Sequence, residues 1–294
     1  MASEAQPAAQ PAKKMDIYTY LLIIPILLFL GSIRILVQHY FATGQFFDRS
    51  IELTGGNLIT VSIDKEVNVE QLTKDLSKFG SMIITQSVGF NGRQLFIQTD
   101  YKQIQDIIKE LNILGIKTES FSTREIGASL GEAFWSQVQV GIIAAFIAMS
   151  IVIFIVFRSP GPSFNVIFAA LADIITSLAF MQIFGIKLSL ASFAGILMLI
   201  GYSIDTDIVL ATRVLKTEEG TLKEKTLSAM KTGMTMIATT LGVLTVLYVS
   251  NISPILSEIA AVLIIGLVAD MIYTWIQNAA VLRYIVRRRE RLHA

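Results

Sequence analysis

Apolar residues in this chain follow two patterns. Six stretches are almost unbroken: 17–37, 135–157, 163–184, 190–212, 232–250 and 255–282. A helix needs about 20 mostly apolar residues to cross the hydrocarbon core of a bilayer, so all six are predicted as transmembrane helices. The first is too long, and too poor in small residues, for a cleaved signal peptide. Between the first two stretches the pattern shortens. Over 57–64, Ile59, Val61 and Ile63 alternate with Leu58, Thr60 and Ser62, which predicts a strand. Val69, Leu72, Leu76 and Phe79 have helical spacing over 69–79. Residues 81–90 and 94–99 read as strands around the hairpin signal Asn91-Gly92. Ile104, Ile107, Ile108, Leu111 and Leu114 predict a second helix, and 116–122 a last strand. The order β-α-β-β-α-β is that of a ferredoxin-like unit.

The expected fold class is therefore an α-helical membrane bundle of six transmembrane helices plus a small α+β ferredoxin-like outer domain. The expected divisions are a disordered, Ala/Gln/Pro-rich tail at 1–14, the first transmembrane helix at 15–37 and the outer domain at 38–134. Transmembrane helices two to six follow at 135–283, then a basic tail at 284–294.

Composition agrees with a membrane protein. The 294 residues are 53% hydrophobic and 16% charged, with a mean hydropathy of +0.62; soluble domains carry about 25% charged residues. The net charge of +1 leaves no basic excess to neutralise phosphates, so no nucleic-acid partner is expected. There are no cysteines, which excludes disulfides and thiolate-bound metals. His39 and His293 are the two histidines and lie far apart in sequence. No metal, no cofactor and no catalytic constellation is expected, so the chain does not read as an enzyme.

The charges that do occur are sorted along the chain. Lys13 and Lys14 precede the first span, Arg158 lies between spans two and three, and Arg213, Lys216, Lys223, Lys225 and Lys231 follow span four. Arg283, Arg287, Arg288, Arg289 and Arg291 close the chain, whereas the alternate short loops hold Lys187 alone. By the positive-inside rule both termini are cytoplasmic and 38–134 is extracytoplasmic. Arg34 and Glu258, near outer span ends, are expected to snorkel to the interface.

Charges inside spans are costly and usually functional. Here they are Asp173, Asp205, Asp207 and Asp270, with Lys231 at the start of span five. At 1.5 Å per residue, Asp173 lies about 15 Å from the cytoplasmic side, while Asp205 and Asp270 lie about 22 and 21 Å from the outer side. These three depths can converge on one polar spot. Asp205 and Asp207 point to opposite faces of a helix, so one of them faces the bundle centre; the match in depth to Asp270 favours Asp205. Span four is rich in small residues that allow close helix packing, among them Gly195, Gly201 and Ser203. Gly141 and Ala145 have the same character in span two.

Four motifs carry a family resemblance. They are Leu53-Thr54-Gly55-Gly56, Glu125-Ile126-Gly127-Ala128-Ser129-Leu130-Gly131, Ile200-Gly201-Tyr202-Ser203-Ile204-Asp205-Thr206-Asp207 and Lys231-Thr232 with Thr235, Thr239 and Thr240. In this order, with one span before and five after a small outer domain, they resemble the SecF family of protein-export membrane subunits. That family belongs to the resistance–nodulation–division superfamily. The resemblance implies a SecD-like partner, association with the protein-conducting channel and action on a translocating preprotein at the cytoplasmic membrane. It also implies that proton movement through intramembrane charges drives the outer domains. The match is not complete: bacterial relatives usually read Ser-Ile-Asn-Asp-Thr where this chain reads Ser-Ile-Asp-Thr-Asp, a form that suits an archaeal branch. Lys231 stands where the family usually has Arg. Two other readings are a SecD-binding scaffold without proton coupling and half of a small-solute exporter.

Overall fold

A computed structural model describes residues 20–80, 82–89, 92–116, 121–217 and 219–293. The tail at 1–14, Asn91 of the hairpin and residues 117–120 of the last expected strand lie outside the described residues.

Helix α1 (Ile23–Thr43) leads through a short helix, α2 (Ile51–Thr54), into the small α+β domain expected on the outer side and called the outer domain below. There β1 (Gly56–Ile63), α3 (Val69–Leu76), β2 (Met82–Gly89), β3 (Gly92–Thr99), α4 (Ile104–Ile113) and β4 (Phe121–Ile126) follow. The sheet is antiparallel throughout, in the order β2-β3-β1-β4. The period-2 pattern acts as expected: Ile59 and Val61 are fully buried beside Leu95 and Ile97 of β3, and Leu76, Ile107 and Leu111 cover them from the helices. Asn68 caps α3, accepting from the backbone of Glu70 and Gln71. Strand β4 falls later than the sequence pattern predicts. It pairs Glu125 with Asn57 and Ile126 with Gly56, and its residues are mostly exposed. An edge strand with little burial leaves a weak hydrophobic signature.

Five long helical segments complete the chain: α5 (Ala128–Phe157), α6 (Pro160–Ile183), α7 (Leu190–Lys216), α8 (Leu222–Ser250) and α9 (Pro254–Ile272). A π-helical turn (Tyr273–Asn278) and α10 (Ala279–His293) continue α9 without a break. Helical structure thus runs through most of 284–294, where a tail is expected, and α5 starts seven residues ahead of 135. With α1, these helices make six candidate membrane spans. Local sequence explains their ends. Pro160 and Pro254 sit in first turns, where a missing N–H costs nothing. Ser189 with Ser192, and Thr221 with Glu224, form capping boxes.

Helices α6, α7 and α9 form the centre of the bundle. The apolar stretch of α6 is 56% buried, against 17% for α5 and α8. Gly195 allows the contact between α7 and α9, since a Cβ there would stand 3.1 Å from Val262. Gly201, expected in the same role, is exposed with no atom within 4 Å of such a Cβ. It packs nothing within this chain, because it lies on the outward face of α7. In α5, a Cβ on Gly141 would meet the Phe193 ring at 2.9 Å.

Several contacts among the described residues join the outer domain to the bundle. A Cβ on Gly131 would stand 2.6 Å from the Gly55 nitrogen, and Gly55 itself has φ +86°. The two glycine motifs therefore dock α2 against the start of α5; Gly56 opens β1, and Gly127 is the N-cap of α5. The linker after α1 is held beside Leu188, whose N–H donates to Asp48 O at 2.7 Å while Ser50 N–H donates to Leu188 O at 2.8 Å. At the far side, the Asn251 amide donates to Gln86 O at 2.6 Å, and Ser87 Oγ donates to Asn251 O at 2.7 Å.

Candidate functional site

The inner faces of α6, α7 and the α9–π-turn segment meet in a polar seam. On α6, Ala169, Ala170 and Ala172 keep the helix slim around Asp173, which is 1% exposed. On α7, Ser203, Thr206 and Asp207 share the buried face with Leu210. From the third wall come Asp270, Thr274 and Asn278, all fully buried. Their spacing of four would drift around an ideal α-helix. The π-turn over Tyr273–Asn278 widens the helix locally, as π-bulges often do at functional sites.

Hydrogen bonds link the three walls. Ser203 Oγ donates to Asp173 Oδ2 at 2.6 Å. Thr206 Oγ1 is 3.1 Å from Asp270 Oδ2 and 2.8 Å from its own Ser203 O. Thr274 Oγ1 sits between Asp270 Oδ1, at 2.9 Å, and Asp207 Oδ1, at 3.0 Å. The Asn278 amide donates to Asp207 Oδ1, and Asn165 on α6 donates to Asn278 Oδ1. Further along α6, Thr176 Oγ1 pairs with the Tyr273 hydroxyl at 2.8 Å, and Ser32 of α1 reaches Thr176 at 3.3 Å. From Asn165 to Thr176 the seam spans about 16 Å of helix. Asp173 Oδ1 and Asp207 Oδ2 are buried with no hydrogen-bond partner. The side-chain donors that reach the three carboxylates are hydroxyls and amides, and the Asp173 and Asp270 carboxyls lie at hydrogen-bond reach of each other.

Asp173, Asp207 and Asp270 thus come together; Asp205 does not. The expectation that Asp205 turns inward is corrected. Asp205 is exposed and Asp207 is 0% exposed. Two residues shift depth by about 3 Å but rotate the side chain by about 200°, so the helix face decides, and Ser203, Thr206 and Leu210 set that face. Asp205 shares an exposed stripe with Met198, Gly201 and Tyr202. Lys231 is also exposed, and no ion pair among the described residues joins it to an aspartate. Ser203, expected as a small packing residue, serves as the donor to Asp173. Glu258 does not snorkel freely: it is half-buried and accepts from Ser189 Oγ. Asn165, Thr274 and Asn278 are absent from the sequence reading, and Thr206 enters it only as a member of the span-four motif. The regular series Asp270, Thr274, Asn278 in an apolar span is the signal that points to Thr274 and Asn278.

The family model described as the C-terminal part of the protein-export membrane proteins SecD and SecF matches residues 105–288. The chain belongs to this family. Its curated SecF relatives include the protein-export membrane protein SecF of Pyrococcus furiosus, 39% identical over 95% of this chain and 92% of that protein. SecF of Methanothermobacter thermautotrophicus is 40% identical over 82% of this chain and 85% of its own length. These relatives are archaeal. Among solved structures, SecDF of Thermus thermophilus, described as a translocon-associated membrane protein, matches with a TM-score of 0.69 at 19% identity. It covers 91% of this chain, which spans 38% of that longer one. A SecDF structure in a super-membrane-facing form gives 0.57 at 18% identity, over 98% of this chain and 41% of that one. At such identities the likeness is one of fold. The chain is a SecF-like protein-export membrane subunit related to SecDF.

Proposed function

We propose that this subunit pairs with a SecD-like membrane protein and assists preprotein passage across the cytoplasmic membrane. Proton movement at Asp173, Asp207 and Asp270 would drive motion of a ferredoxin-like outer domain. The observation that carries this reading is the burial of three carboxylates on three helices, reached by neutral donors. Together they cannot all be charged cheaply in hydrocarbon. Gain or loss of a proton changes which neighbour each acid can bond, and helices packed through such bonds repack between discrete arrangements. Both termini face the cytoplasm, following the basic residues of the short loops. The protein-conducting channel is the further partner, and the subunit acts without an enzymatic step.

The same bonds support a second reading. Ser203 to Asp173 and Asn278 to Asp207 tie helices together, which suits a scaffold that holds its partner without moving protons. Vesicles containing the subunit and its SecD-like partner separate the two. Under proton coupling, Asp207→Asn leaves the complex intact and abolishes both proton uptake and export stimulation. As a scaffold, the same change weakens recovery of the complex and leaves the pH dependence of export unaltered.

A further inference from the structure

Three hydroxyls serve five acceptor positions in the seam. Ser203 gives its proton to Asp173 Oδ2. Thr206 faces Ser203 O and Asp270 Oδ2. Thr274 faces Asp207 Oδ1 and Asp270 Oδ1. A hydroxyl has one hydrogen to donate and lone pairs with which to accept. Thr274 can therefore donate to one carboxylate only. Its contact with the other is a hydrogen bond when that carboxyl carries the hydrogen; otherwise two lone pairs face each other at hydrogen-bond distance. Buried Asp207 Oδ2 and Asp173 Oδ1, each without any donor, show that the shortfall is general in this site. An orphaned acceptor on a full negative charge is far more costly than one on a neutral acid.

We propose that Asp207 and Asp270 hold one proton between them across the Thr274 hydroxyl, and that Thr274 is the positioning residue that carries it from α7 to the α9–π-turn segment. This rests on the proton-coupling reading of the same cluster. The step is balanced. The Asp207 carboxyl O–H breaks as its hydrogen bonds to Thr274 Oγ1, while the Thr274 O–H breaks as its hydrogen bonds to Asp270 Oδ1. Thr274 ends neutral, as it began, and the negative charge passes from Asp270 to Asp207. Asn278, which donates to Asp207 Oδ1, stabilises that product. Among the described residues, the other titratable groups set against this pair are Asp173 from α6, whose carboxyl lies at hydrogen-bond reach of Asp270, and Tyr273 from the π-turn. Tyr273 is turned away to Thr176.

The test uses the full chain purified with its SecD-like partner. Infrared spectra in light and heavy water detect the carbonyl stretch of a protonated carboxyl, and a pH jump measures proton uptake by vesicles. Thr274→Val preserves shape without the hydroxyl, and Thr274→Ser restores the hydroxyl. The wild type is expected to show a protonated-carboxyl band that both Asp207→Asn and Asp270→Asn alter. Thr274→Val should shift that band and slow uptake at least tenfold, and Thr274→Ser should return both towards wild type. The proposal is overturned by a wild type without the band, by a band indifferent to Thr274→Val, or by a Thr274→Ser variant as defective as Thr274→Val. The last result would mark a packing role. Should wild-type vesicles take up no protons while the band responds as described, the shared proton stands and the coupling reading fails.

Discussion

At the scale of single residues, position on the helix outweighs chemical type. Asp205 and Asp207 are the same residue two positions apart, yet one is exposed and the other is locked beneath Thr274 and Asn278. Asp205→Asn should leave the thermal stability of the purified subunit unchanged within about 0.5 kcal/mol. Asp207→Leu should lower it by about 1–3 kcal/mol, because the Asn278 amide then loses its acceptor. Melting the two variants side by side in detergent checks both statements. Gly131 is constrained by space. Its missing Cβ would meet backbone at 2.6 Å, not the end of a flexible side chain. Gly131→Ala is accordingly expected to cost about 1–3 kcal/mol through forced backbone shifts, whereas Gly201→Ala, with open space around it, should be neutral or mildly stabilising in the isolated subunit.

At the scale of elements, two local devices set the geometry. The π-turn is one. It carries Thr274 and Asn278 to Asp207, and removing one residue, Ile276, would restore α-helical winding. Because a π-turn accommodates one extra residue, the helix after it would keep its facing, while Thr274 would lose the wide turn that sets it between Asp207 and Asp270. Faster hydrogen exchange in α7 and in the chain after Asp270 is expected, and protection equal to wild type would show that the turn is not needed to close the seam. The strap after α1 is the other. The Gln182 amide reaches His39 Nδ1 at 3.1 Å and Asp48 Oδ2 at 3.2 Å, while its Oε1 accepts from Asp48 N at 3.3 Å. Asp48 in turn lies 3.2 Å from His39 Nε2. A leucine at 182 removes three of these bonds at once. Residues 45–50 should then exchange faster while the sheet keeps its protection.

At the scale of the whole molecule, the outer domain is attached near both ends of its own sequence and also along β2. The contacts of Asn251 with Gln86 and Ser87 bridge more than 160 positions of sequence, and Asn251 holds a left-handed conformation (φ 46°) to make them. A domain that moves as a lever must release this contact. The absence of native cysteines makes the test clean. A Ser87→Cys/Asn251→Cys pair, once oxidised, should lower export to the level without the subunit, and reduction should restore it. Full export by the oxidised pair would exclude motion at this contact.

Much of this architecture was legible in the chain. Long apolar runs and short alternations do not need a partner to be recognised, because burial in lipid or against one sheet face depends on local periodicity. Six candidate spans, the order of helices and strands in the outer domain and the place of Asp173 and Asp270 within candidate spans follow from that local pattern. The choice between Asp205 and Asp207 does not, since it depends on which face of α7 meets α6 and α9. Thr274 and Asn278 can be read as a series from Asp270, but the pairing with Asp207 cannot, because it depends on which carboxylate lies opposite. Sequence by itself determined what each segment could bury. Tertiary packing decided which polar groups share a site, because helices whose bonded residues lie 30 to 113 positions apart in the chain must choose their facing sides together.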